Sequence, residues 1–243
     1  MSSRLNIVDF ASHSVATSEK SSSFNFFGSD FYTDLLNEYD LKVDLEPSKK
    51  TPQTFEALCE RPLLALQAKG NLQDVDLMVL AYDFPNCVSY NSTTAFLAHR
   101  FELDCHMFAV SDMGSASSLF AFHFVSQYLS SGKSKKALLI SVDQPALPVL
   151  LPGVKSIAEN LQNSATAMVI ETGTALEVLK FDSSSRPSDS KLPLSDESGT
   201  CRFTQSLIQW WEQGENHFKH NNRSLDFEVD LEILRRTETE AQK

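Results

Sequence analysis

The sequence predicts an α/β fold, a sheet built from strand–helix–strand crossover units. Two apolar runs without alternation, Asp76–Tyr82 (DLMVLAY) and Ala137–Val142 (ALLISV), read as central strands covered on both faces. Two helical segments lie between them, Ser92–Phe101 and Ser115–Ser130, the second closed by Ser131-Gly132-Lys133. Strands alternating with helices in this way mark a sheet of crossover units.

The remaining elements follow in chain order. Arg4–Phe10 reads as a short strand. Residues 17–30 are Ser-rich, carry Phe24, Phe26 and Phe27, and read as a loop, whereas Phe31–Tyr39 spaces its apolar residues as a short helix. After the breaker-rich EPSKKTPQ, Thr51–Lys69 has helix signals: a Thr start, Pro52 in the first turn, then Leu58, Leu63, Leu64 and Leu66. Pro62 predicts a kink or break inside it, and Gly70-Asn71 its end. Cys105–Val110 is a strand that runs into the tight turn Asp112-Met113-Gly114-Ser115-Ala116. Leu161–Thr172 and Thr174–Lys180 read as two strands joined at Gly173. Beyond Phe181, DSSSRPSDSKLPLSDESGT holds too few apolar residues to build core. This reading divides the chain into a unit 1–180, a linker 181–200 and a short C-terminal segment 201–243. Within that segment Phe203–Phe218 is an amphipathic helix with Phe203, Leu207, Trp210 and Trp211 near one face. HFKHNNRS reads as a polar loop, and FEVDLEILRR as a short apolar element before a charged, fraying tail.

Composition narrows the function. Hydrophobic residues at 42% and charged residues at 22% are those of a globular chain, so wholesale disorder is excluded. A net charge of −11 argues against nucleic acid as a partner, because a basic face is needed to displace counterions. No apolar run is long enough to span a bilayer, and the first twenty residues carry no export signal. Cys59, Cys87, Cys105 and Cys201 are scattered, with no C-x-x-C pair and no His at ligand spacing. The expectation is a reduced, cytoplasmic protein with free thiols, no metal and no bound cofactor.

Several ordered segments resemble the thiolase superfamily, most closely its ketoacyl-ACP synthase III branch, over approximately residues 4 to 180. They are DVDLMVLAYDFPN, NSTTAFLAHRFELD, the turn with its helix and SSGKSKKALLISVDQ, and finally LQNSATAMVIETG in the place of a glycine-rich segment whose glycines are absent here. The resemblance implies a thiolase-like fold with the N-terminal α/β unit largely complete and the C-terminal unit reduced. It also implies that the family's catalytic cysteine, at the head of the central helix, is replaced by Ser115. In the family a His and an Asn from the second half complete a decarboxylative condensing site. His220-Asn221 is the nearest juxtaposition in this chain, and His220 is a base only if the C-terminal segment folds back over Ser115.

Two functions follow from that resemblance. One is a non-condensing partner subunit, forming a homodimer or a heterodimer with an active ketosynthase relative. The pathways implied are fatty-acid, polyketide or other specialised-metabolite biosynthesis. The alternative is an acyltransferase that takes acyl groups from acyl-CoA or an acyl carrier protein through Ser115. Lys133, Lys135 and Lys136 form the one local basic cluster that an anionic carrier protein would seek. Ser115 itself is either an acyl-accepting nucleophile or a small residue filling a tight turn. Ser117 and Ser118 should bond back to the backbone, and Asp112 should cap the helix. His123 and His106 read as core or interface histidines. His99-Arg100 reads as a helix's polar face, and Trp210-Trp211 as a core stripe or the lining of an acyl pocket.

Overall fold

The structure, a computed structural model, describes residues 3–15, 38, 53–84, 86, 92–144, 162–185, 199–223 and 227–236. Eight strands make one mixed sheet: β1 (Ser3–Val15), β2 (Leu77–Tyr82), β3 (His106–Val110), β4 (Lys136–Asp143), β5 (Asn163–Thr172), β6 (Leu176–Ser185), β7 (His217–Arg223) and β8 (Phe227–Arg235). Their order is β3-β2-β4-β5-β1-β6-β8-β7. The three strands with crossover helices between them, β3, β2 and β4, pair in parallel, and every other pairing is antiparallel. The expected loop at 17–30, the helix at 31–39 and the frayed tail fall almost wholly outside the described residues.

Among the described residues four α-helices cover the sheet: α1 (Phe55–Ala68), α2 (Thr93–Arg100), α3 (Ser117–Ser130) and α4 (Thr200–Gln213). Alternation along the strands separates two cores. Leu139, Met168 and Ile170 pack with Leu119, Phe122, Val125, Phe203 and Leu207 of α3 and α4. Leu138, Ile140, Ala167 and Val169 pack on the opposite face with Phe55, Leu58 and Leu63 of α1 and Leu97 of α2. β2 is buried on both sides, as its continuous apolar run required.

Local chemistry sets the boundaries. Thr54 caps α1, its hydroxyl accepting from the Ala57 N–H at 3.2 Å, so the helix begins later than Thr51. Pro62 does not break it. The helix continues because Leu58, Pro62, Leu63 and Leu66 are all buried in one core, and packing overrides the missing N–H. Ser92 caps α2 through the Ala95 N–H. Gly214, at φ 72°, ends α4 before Phe218, which belongs to β7 rather than to the helix. At Gly173 a side chain would collide with Asn6, whose Oδ1 accepts the N–H groups of Thr174 and Ala175. The turn therefore wraps around the β1 side chain, and β1 inserts between β5 and β6.

Two sequence expectations need correction. Phe181–Ser185, assigned to a linker, is strand: β6 runs through it and pairs with β8. The following residues 186–198 lie outside the described set. HFKHNNRS is not a loop either. Its first seven residues form β7, paired along their length with β8. The C-terminal segment thereby completes the same sheet that the N-terminal strands begin.

Candidate functional site

The turn after β3 is built on unusual backbone. Asp112 at φ 64° and Gly114 at φ 59° both lie in the left-handed region, on either side of Met113. The chain then makes a 3-10 turn over Gly114–Ala116, and regular α-helix starts only at Ser117. Ser115 thus stands in the 3-10 turn and not inside the helix that the sequence assigned to it. Neither helical segment has a side-chain cap. Asp112 is exposed and instead accepts the Ser111 hydroxyl at 2.7 Å, so its expected capping role is not realised. Ser117 bonds back to the Gly114 carbonyl as expected. Ser118 finds no partner among the described residues.

Ser115 is buried, 9% exposed. Its hydroxyl donates to Asn222 Oδ1 at 3.1 Å, its one hydrogen bond among the described residues. The C-terminal segment has therefore folded back over the turn. Asn222 is a residue the sequence reading passed over; it took Asn221 as the companion of His220. On β7, residues two apart share a face, which puts His220 with Asn222 on the inner side. Asn221 points the other way and donates to Asp230. The missed signal was the alternation Phe218, His220, Asn222 between exposed residues.

His220 is held by aromatic rings. It lies parallel to Phe218, with centroids 5.9 Å apart, and edge-on to Phe203 at 5.4 Å. Phe203 in turn meets Phe122 of α3 edge-on at 5.6 Å. This stack joins the helix behind Ser115 to the strand in front of it, and it fixes the height of Asn222 over the turn. The Asn222 amide oxygen is no base at neutral pH, so it orients the Ser115 proton without taking it.

Carboxylates gather at the same end of the sheet. Asp143, at the end of β4, is buried and accepts the N–H groups of Thr200 and Cys201 at 2.7 and 2.9 Å. It occupies the N-terminus of α4, where the helix dipole favours a negative charge. Burial nevertheless pushes its carboxyl up, against those hydrogen bonds. Asp83, just past β2, is pushed up to about 6 by burial and by the charges of Asp143 and Asp112. Among the described residues no group of His, Cys, Asp and Glu is arranged to hold a metal ion.

The other candidates fall elsewhere. His123 stacks on Phe181, centroids 3.9 Å apart, and burial lowers its pKa. His106 is exposed at the start of β3, the far end from Ser115, and stacks on Tyr128. Trp210 is core, while Trp211 lies under the Arg235 guanidinium at 4.2 Å. Arg100 reaches Glu60 on the outer surface, and His99 is exposed. Lys133 and Lys135 precede β4 and Lys136 is its first residue, so all three sit at the opposite end of the parallel strands from the Ser115 turn. Lys136 donates to the Gln73 carbonyl, and the backbones of Lys135 and Lys136 bind the Asp76 carboxylate. Cys59 and Cys201 are buried free thiols, and burial drives both well above the ordinary thiol range.

No protein-family model and no curated sequence matches this chain. Solved structures do. A cysteine-to-serine variant of Xanthomonas campestris OleA, with bound lauric acid and lauroyl-CoA, aligns at 11% identity and a TM-score of 0.61. That alignment covers 95% of this chain and 99% of the other. The acyltransferase ChlB3 aligns at 11% identity and a TM-score of 0.64, covering 96% and 98%. A histidine-to-alanine variant of the same OleA gives 12% identity and 0.63, covering 95% and 98%. The fold is thiolase-like. The likeness takes in the C-terminal segment as well as residues 4 to 180. Among the described residues no helix is long and apolar enough to cross a membrane.

Proposed function

We propose that this chain is a non-condensing, thiolase-fold partner subunit in fatty-acid, polyketide or related specialised-metabolite biosynthesis. In this reading Ser115 stands where the family carries its cysteine. The observation that carries the proposal is the bond from Ser115 to Asn222. It ties a buried hydroxyl to an acceptor that cannot remove its proton, which leaves a weak nucleophile unactivated.

Partnership is supported by the two ends of the sheet. The β7 edge is guarded by charge: Lys219 and His217 both pair with Glu232. Among the described residues the β3 edge has no such guard. His106 and Ala109 are exposed on it, beside Phe124 at 40% exposure. A second copy, or an active ketosynthase relative, pairing along β3 would cover that surface. The distance of the lysine cluster from Ser115 argues against a carrier protein docking there to load the serine.

His220 favours a second reading, an acyltransferase that loads Ser115 from acyl-CoA or an acyl carrier protein. It shares the inner face of β7 with Asn222 and becomes a general base if its ring reaches the hydroxyl. Intact-mass measurement after incubation with lauroyl-CoA separates the two. The partner reading expects no adduct, together with a dimer by light scattering. An adduct that disappears in Ser115→Ala would establish the second reading instead.

A further inference from the structure

We propose that the space between α3, α4 and the β4–β5 ladder, directly behind the Ser115 turn, binds ordered water. Ser141 on β4 and Thr166 on β5 are direct partners across the ladder. Leu139 and Met168, two residues away on each strand, belong to the core under α3 and α4, so both hydroxyls face those helices. The start of α4 lies over this pair, because the Cys201 thiol donates to the carbonyls of Ser141 and Ser164. Ser118 approaches from α3. It stands one helical turn before Phe122, the residue that packs against Phe203 of α4.

Ser118, Ser141 and Thr166 are all fully buried, and none of the three hydroxyls has a hydrogen-bond partner among the described residues. A lone unpaired hydroxyl is a tolerable cost, but three at one junction of helices and ladder are not. Water with two to four polar partners relieves them together. The site is hydroxyl-lined, and the buried Asp143 carboxylate two residues from Ser141 is already held by the Thr200 and Cys201 N–H groups, so the site takes water rather than an ion or an acyl chain. An apolar chain entering between α3 and α4 would strip that water, so this path behind Ser115 is closed to it. The water site is the same whether or not Ser115 is acylated.

The test uses the sign of a stability change together with direct observation. Thr166→Val is nearly isosteric. If its hydroxyl holds water, the change should lower the thermal midpoint by about 2–4 °C, and Ser141→Ala should do the same. If the hydroxyl is dry, Thr166→Val removes a penalty and the midpoint rises, which overturns the proposal. A high-resolution crystal structure of the full chain should place water within hydrogen-bonding distance of both Ser141 and Thr166. Hydroxyls bonded only to protein atoms, with no water between the helices and the ladder, would overturn it even if the variants fail to fold.

Discussion

The Ser115 hydroxyl and the Asn222 amide meet at 3.1 Å although 107 residues of chain separate them. The bond ties the turn after β3 to the edge strand β7, and its strength is measurable. In a double-mutant cycle of Ser115→Ala and Asn222→Ala, each single change leaves a buried partner unsatisfied. The coupling should be about 0.5–1.5 kcal/mol by chemical denaturation. Strict additivity would mean that the two side chains do not interact in solution.

Asp143 should matter more than its distance from Ser115 suggests. Its carboxylate takes the two N–H groups that open α4, so Asp143→Ala orphans both inside the core. A loss of about 2–4 kcal/mol is expected, with Asp143→Asn falling between native and alanine. Urea unfolding curves for the three proteins check the order.

Asp83 gives the protein a pH signature. Its folded pKa of about 6 lies above the unfolded value of roughly 3.9, so the folded state prefers the protonated form. Its contribution is therefore neutral below pH 4, becomes unfavourable between pH 4 and 6, and is constant above. The full effect is at most about 3 kcal/mol. Asp83→Asn should be the more stable protein at pH 7, with the gap closing by pH 4. A gap that is the same at both values would show that burial and the neighbouring carboxylates do not act on it.

Asp112→Gly tests the turn. A left-handed residue with a Cβ is strained, by about 1 kcal/mol for Asp against Gly. The glycine variant should melt higher, and Asp112→Val lower. The opposite order would mean that the Ser111–Asp112 hydrogen bond outweighs the backbone strain.

The parallel strands were legible because their burial is written as uninterrupted apolar runs in β2 and β4. The turn and α3 were legible from small residues before a helical pattern. β7 was not, and the reason is physical. Its inward positions are Phe218, His220 and Asn222, two of them polar, with Asn222 meeting Ser115, and its outward ones are charged or polar as on an open sheet edge. Polarity on both faces hides the period of two that marks a strand. The end of α4 is itself written in the sequence, as the helix stop Gly214. The site followed the same rule: Ser115 could be found from local pattern, whereas Asn222 required a pairing fixed only by β8.

The place of β1 in the sheet dictates an order of assembly during synthesis. Among the described strands β1 pairs with β5 and β6, which are translated well over 140 residues after it. The parallel unit β2-β3-β4 can gather earlier, around α2 and α3, with one flank of β4 still open. Throughout that interval Leu5 and Ile7, both buried in the finished core, lack the strands that flank them in it. Their capture by β5 closes contacts of long sequence separation, the kind that form late and slowly. A truncation between residues 144 and 162 would therefore leave β1 without either of these strands, and an insoluble fragment is expected.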